Sequence, residues 1–100
     1  MKTPIHEVIK EIETEFEYSQ RWDKRRREKN EPEINMDENK PIESWILWME
    51  EYLHRARHEA AISTDKTAAL HEVRKVANLA VACLAYRGCP VRETKVVSTT

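Results

Sequence analysis

Glu50, His54 and His58 stand four residues apart and Glu51 lies three before His54, so on a helix one face carries carboxylate and imidazole together. Two histidines at that spacing can share a divalent metal where a third ligand converges, and Glu51, His54 and Glu72 form the candidate set, with His71 beside it. Arg55 and Arg57 are interleaved with the histidines and repel a cation, and no glutamate lies between them in the metalloprotease manner. A solvated polar helix face is the simpler reading. The cations offer another chemistry. Arg55, Arg57, Arg74 and Lys75 fall on two neighbouring helical stretches and, where those pair, can form a fork for phosphate or carboxylate. Glu50, Glu51, Glu59 and Glu72 can instead take up the same cations at helical spacing, and the sequence leaves both arrangements open. Trp22, Trp45, Trp48 and Tyr52 present flat faces on which a base can stack for ~1–3 kcal/mol. Trp45 and Tyr52 sit on an apolar stripe and read first as core, whereas Trp22 and Trp48 divide evenly between the two roles. The run Lys24-Arg25-Arg26-Arg27 can meet phosphates, but Glu28, Glu31 and Glu33 follow at once, so a solvated helix end is the plainer reading.

The elements that must position these groups are helical. Ile5, Val8, Ile9, Ile12 and Phe16 recur at spacings of three and four, predicting a first helix from Pro4 to about Trp22 or beyond, with Thr3 as cap. The dense mixed charge after it, broken by Pro32, predicts a solvated loop from about Glu28 to Lys40. A second helix opens at Pro41 and carries Ile42, Trp45, Ile46, Met49, Tyr52, Leu53, Ala56 and Ala60 on one broad face. Ser63, Thr64 and Asp65 supply turn and cap chemistry before a third helix near Lys66, whose stripe is Leu70, Val73, Val76, Ala77, Ala80 and Leu84. Its second half is apolar nearly all round, as in a central element or an oligomer interface. Gly88 and Pro90 end it. The expectation is an all-α fold: one helical domain over 1–90, built from an N-terminal helix and a long antiparallel hairpin, with a tail over 91–100.

The chain has 100 residues and 17 Lys+Arg against 18 Asp+Glu, a balance that argues against a sequence-specific nucleic-acid partner. Its single glycine excludes a phosphate-cradling Gly-rich loop or a dinucleotide fingerprint. The longest uncharged run, Val76 to Tyr86, falls short of the ~20 residues of a membrane span, and the first residues lack a signal-peptide pattern. A cytoplasmic location without membrane contact is expected, in the host cell if the chain is phage-encoded. Cys83 and Cys89 fit neither a disulfide framework nor a CxxC pair. A domain of this size hides only ~60–70% of its unfolded surface, so a homo-oligomer formed through the third helix is expected. No serine sits on a strained strand-to-helix turn, which excludes a nucleophile elbow.

The order of elements resembles a group of small phage and prophage proteins. The resemblance covers roughly Ile9 to Pro90: Glu15 to Trp22 in the first helix, Glu43 to Leu53 in the second, and Leu70 to Leu84 ending near Gly88 in the third. Those proteins in turn resemble MazG-like members of the all-α nucleoside triphosphate pyrophosphohydrolase superfamily, which hold Mg²⁺ with a glutamate-rich motif on one helix and Glu-x-x-Asp on the next. The resemblance implies a MazG-like fold and assigns Glu50, Glu51 and Glu72 as the catalytic carboxylates of an enzyme. The next acidic position of the first motif is His54, however, and the expected aspartate of the second is Lys75. Magnesium requires hard oxygen ligands. The implied function is therefore binding of a nucleotide, or of a cyclic-oligonucleotide or ADP-ribose-type messenger of host defence, without hydrolysis and without a cofactor. Arg55, Arg57, Arg74, Lys75, Trp22, Trp48 and Tyr52 would contact it. The alternatives are a Mg²⁺-dependent pyrophosphohydrolase and a helical protein-protein adaptor.

Overall fold

A computed structural model describes residues 2–92, so most of the tail expected over 91–100 lies outside the described residues. Three helices are present, α1 (Ile5–Glu28), α2 (Ile42–Ile62) and α3 (Thr67–Arg87), and among the described residues there is no strand. The all-α expectation holds. Between α1 and α2 run two single 3-10 turns, Glu33–Asn35 and Asp37–Asn39.

Each helix boundary has a local cause. Pro4 occupies the N-cap position of α1 itself, its carbonyl accepting from the Glu7 and Val8 amides at 3.0 and 3.2 Å, and no side chain caps the helix, so the expected Thr3 cap is not made. α1 continues six residues past Trp22, with Arg25, Arg26 and Arg27 in its last turn, where cations favour the negative end of the helix dipole. It stops through backbone geometry. Asn30 has φ 57°, and the Asn30 and Glu31 amides donate back to the Arg27 and Arg26 carbonyls at 3.0 Å each, a Schellman ending with asparagine in the left-handed position. At the other hairpin turn Lys66 Nζ donates to the Ala60 and Ser63 carbonyls at 2.6 and 2.7 Å, satisfying the end of α2. Asp65 Oδ1 accepts from the amide and hydroxyl of Thr67 at 2.9 and 2.7 Å and so opens α3. These hydrogen bonds hold the Asp65 carboxyl below its ordinary range. Gly88 leaves α3 at φ 114° and ψ 142°, a conformation beyond the left-handed helical region that side chains rarely adopt.

The segment 29–41 corrects the expectation of a solvated loop. Met36, lying between the two 3-10 turns, is fully buried, and the turns are braced by Asn35 Nδ2 donating to Glu31 and Asn39 Nδ2 donating to the Glu33 carbonyl. Asp23 at the end of α1 is buried, and both of its carboxylate oxygens accept from the Asp37 amide at 3.1 Å. Arg26 donates to Asp23 at 2.5 Å, and Asp37 is paired with Lys40 at 3.0 Å and with Arg26 at 3.6 Å. Further out, Arg27 pairs with the Glu38 carboxylate and Arg87 of α3 donates to the Glu38 carbonyl. Two of the four cations of the basic run, Arg26 and Arg27, thus hold the loop.

α2 and α3 pair along their lengths as the expected antiparallel hairpin, and α1 lies chiefly against α3. Ala56 and Ala69, both buried, allow the hairpin helices to approach, and Trp45 and Ala82 are buried at its other end. Little else is covered. Ile5, Val8 and Ile9 of α1, Ile42, Ile46 and Leu53 of α2, and Leu70, Val73 and Leu84 of α3 are all exposed, although each belongs to an expected core stripe. The radius of gyration, 16.6 Å, exceeds the ~13 Å of a compact chain of this length. In this open arrangement α3 has both other helices beside it, whereas α1 and α2 each have chiefly α3.

Replacing Asp23 by Asn should lower stability by about 1–3 kcal/mol and the melting temperature by several degrees, because the buried amide and guanidinium partners are left poorly satisfied. Thermal melts against Lys24→Ala, an exposed neighbour expected to change little, check this. Asp65→Ala should lower the melting temperature at neutral pH. A carboxyl whose folded-state pKa is depressed contributes stability above its unfolded value and loses it as pH falls through the folded one, so the difference from wild type should close toward strongly acidic pH.

Candidate functional site

The loop that Asp23 anchors forms one wall of a cleft of about 340 Å³. α1 contributes Ser19, Trp22 and Arg26, the loop contributes Asp37 and Lys40, α2 contributes Trp45, Trp48 and Tyr52, and α3 contributes Asn78, Leu79 and Ala82. Trp22, Trp48 and Tyr52, three expected ligand contacts, therefore share one site. Their presence together follows from register: Trp45, Trp48 and Tyr52 stand three and four apart on α2, and the long α1 carries Trp22 to the same end of the hairpin.

The aromatic groups differ in what they touch. Trp45 is only 2% exposed, meets Trp48 edge to face at 5.3 Å between centroids, and stacks on Tyr86 at 5.9 Å. It is the core residue of the group, as its stripe position implied. Tyr86 also meets Phe16 at 5.9 Å. Burial pushes the Tyr86 hydroxyl above the usual phenol range, the Asp23, Asp37 and Glu38 carboxylates add to this, and a Gln20 hydrogen bond opposes it. The rim aromatics carry cations: Lys40 Nζ lies 4.7 Å from the Trp48 ring centre and Arg25 5.1 Å from that of Trp22. Arg55 and Lys75 lie 4.9 and 5.5 Å from the Tyr52 ring. Each contact is worth about 0.5–1 kcal/mol at an exposed edge and sets a positive charge beside a flat face.

Two polar atoms of cleft-lining residues lack partners. Trp45 Nε1 and Asn78 Oδ1 are buried without a hydrogen bond. An unpaired buried polar group costs about 1–3 kcal/mol, so the two are a local cost to the stability of the packing around the cleft.

Of the two arrangements left open for the cations, the fork of Arg55, Arg57, Arg74 and Lys75 is not assembled. Arg55 and Lys75 share Tyr52, but Arg57 lines a separate groove with Leu53, Ala60 and Ala69, and Arg74 lines another between α1 and α3 with Val8 and Ile12. The reason is angular: Arg55 and Arg57 are two residues apart on a helix and point to different faces, as do Arg74 and Lys75. The alternative pairing is realised in part, with Arg55 on Glu51 at 3.2 Å and Lys75 on Glu72 at 3.3 Å. His54, Arg55, His58, Glu59 and Glu72 do line a common groove, yet among the described residues no three metal-ligating side chains stand close enough to hold an ion. Glu51, His54 and Glu72 are thus not gathered as a metal site. The Mg²⁺ that the MazG-like resemblance implies does not fit this arrangement, since His54 and Lys75 stand at two of the positions it gives to carboxylates and no three ligating side chains gather among the described residues.

Sequence reasoning missed Asp37, Lys40 and Asn78, and took Arg26 only as part of a basic run at a solvated helix end. The available signal was Met36, an apolar residue isolated in a charged tract, which is what a buried loop anchor looks like. Asn78 had none, because a lone asparagine on a helix is ordinarily a solvated one. Among the described residues, no helix is long and apolar enough to cross a membrane. No protein-family model matches the chain, and no curated protein or solved structure matches it.

Proposed function

We propose that this cleft binds a nucleotide or a nucleotide-derived signal, of the cyclic-oligonucleotide or ADP-ribose type, and retains it without hydrolysis. The observation that carries the reading is the convergence of Trp22, Trp48 and Tyr52 on one cleft, each with a cation against its ring. Small-molecule sites commonly occupy ~300–1,000 Å³, and this volume is at the lower end of that range. A base stacks on the tryptophans. Its phosphate turns toward Tyr52, where Arg55 is held by an exposed pair with Glu51 worth ~1 kcal/mol or less and Lys75 by a part-buried pair with Glu72, and either cation can turn to a charge-assisted bond to phosphate. On the resemblance to small phage and prophage proteins, the activity would belong to the cytoplasm of an infected host, where removing a messenger from solution would blunt a defence response.

The rival of Mg²⁺-dependent pyrophosphate release through Glu50, Glu51 and Glu72 is disfavoured by Lys75 and His54, which stand where carboxylates are required. The exposed apolar faces of α1 and α3 favour a homo-oligomer as the working form, since patches of this extent are rarely left to water.

A thermal-shift screen of nucleoside triphosphates, cyclic di- and trinucleotides and ADP-ribose derivatives tests the reading. A ligand at 100 times its dissociation constant should add ~2.7 kcal/mol of stability, and mass spectrometry should recover it intact. Trp48→Ala and Lys75→Ala should each weaken binding about tenfold, as expected for one lost stacking or charged contact of ~1.4 kcal/mol. Absence of any shift across the panel sinks the proposal, and pyrophosphate release abolished by Glu72→Gln replaces it with the enzyme. In light scattering the chain should run at a multiple of its own mass, and Val73→Asp should reduce that multiple.

A further inference from the structure

The aromatic surface does not end at Trp22. Tyr18 stands about one turn earlier on α1, outside the cleft lining, and the two rings are 54% and 47% exposed. Tyr18, Trp22, Arg25 and Lys29 follow at spacings of four, three and four, so they lie along one face of α1, with Arg21 on its flank. Arg21 lies 5.3 Å from the Tyr18 ring centre, as Arg25 lies over Trp22. Arg21, Arg25 and Lys29 are exposed, and among the described residues none of them forms an ion pair. That separates them from Arg26 and Arg27, whose charge the loop takes up. The balanced charge of the whole chain therefore hides a local surplus of cations on this face.

Rings and unpaired cations along one line match single-stranded nucleic acid, which offers bases and phosphates in the same alternation. An exposed cation–π contact is weak and gives way to a stacked base, which releases the guanidinium to a phosphate. Ring spacing adds a geometric condition. Four helical residues rise ~6 Å, nearly twice the ~3.4 Å between neighbours in one strand of a duplex, so Tyr18 and Trp22 take separate bases of an unstacked strand. An acidic peptide would pair with the cations and leave both rings without a flat partner, and a bilayer surface calls for an apolar face that this stripe lacks.

On the basis of the nucleotide reading of the cleft, we infer that its ligand is a linear single-stranded oligonucleotide. One base stacks on Trp22 at the cleft, the next on Tyr18, and Arg21 and Arg25 take the phosphate that joins them. The strand lies open along α1 because the stripe is straight. Stacking carries no sequence code, so the expectation against a sequence-specific partner is unaffected.

Isothermal titration calorimetry of the full chain with adenosine 5′-monophosphate, the linear 5′-phosphorylated adenosine dinucleotide and cyclic di-adenosine monophosphate tests the inference. The linear dinucleotide should bind at least tenfold more tightly than the mononucleotide. Its affinity should also fall with the logarithm of salt concentration with a slope ~0.7 steeper, one further phosphate being neutralised. Tyr18→Ala should bring the linear dinucleotide within twofold of the mononucleotide while melting as wild type, because the ring is exposed. Combining Arg21→Gln with Arg25→Gln should remove the extra salt slope. Three results overturn the inference and leave the nucleotide reading standing: equal affinities in wild type, a dinucleotide preference that survives Tyr18→Ala, or tighter binding of the cyclic compound than of the linear one. Displacement of the dinucleotide by a glutamate peptide of equal charge and concentration marks a surface that reads charge alone, and overturns it as well. No saturable heat from any of the three nucleotides at millimolar concentration overturns the nucleotide reading itself, and this inference with it.

Discussion

The buried Asp23 carboxylate, accepting from the Asp37 amide with both oxygens, is the contact on which the site depends. It closes a segment of 13 residues, 29–41, against the end of α1, and a loop that long without strand or extended helix holds one shape only when something inside it is anchored. Two anchors act together here. Met36 supplies apolar burial and the Asp23 to Asp37 bonds supply direction. A carboxylate accepting from a backbone amide and an arginine is a charge-assisted arrangement, stronger than a neutral hydrogen bond. Because Asp37 follows Met36 and Lys40 comes one 3-10 turn later, the anchor also fixes the loop wall of the cleft and places the Lys40 ammonium over Trp48.

The hairpin provides the opposite wall for a different reason. Alanines at Ala56, Ala69 and Ala82 let α2 and α3 pack closely, and the large side chains are displaced to the end where Trp45, Trp48 and Tyr86 meet. Bulk and aromatic surface are therefore concentrated beside the loop, and the rest of the chain is thin. That division explains how a protein with few buried apolar side chains still has a well-walled cleft. It also explains why the α1 and α3 faces at the far end remain open to another surface.

Helix number, order and approximate ends were legible because they rest on local rules: apolar residues at three and four, proline at Pro4 and Pro41, Asp65 before α3, and Gly88 after it. The aromatic residues of the site were legible too, since Trp45, Trp48 and Tyr52 share a face by spacing alone. Of the two arrangements left open for Arg55, Arg57, Arg74 and Lys75, the structure shows separate grooves and two glutamate pairs, because helical spacing says which residues share a face of one helix and not which face meets the neighbour. The 29–41 loop was misread for a related reason. Its mixed charges are those of a solvated tract, and only contacts across 14 residues, from Asp23 to Asp37, turn them into a structure.

Sequence by itself determined a helical chain with one hairpin, a balanced charge that disfavours a nucleic-acid coat, and an aromatic stripe at the start of α2, all consequences of interactions within a few residues. Tertiary structure decided that Asp23 is buried and not solvated, that Lys40 and Asn78 line the aromatic cleft while Arg57 and Arg74 line other grooves, and that Glu51 pairs with Arg55 and Glu72 with Lys75. The physical reason is that burial and partnership depend on which surfaces meet, and in a flat arrangement of three helices that is set by rotation about each helix axis, a variable that local periodicity leaves undetermined.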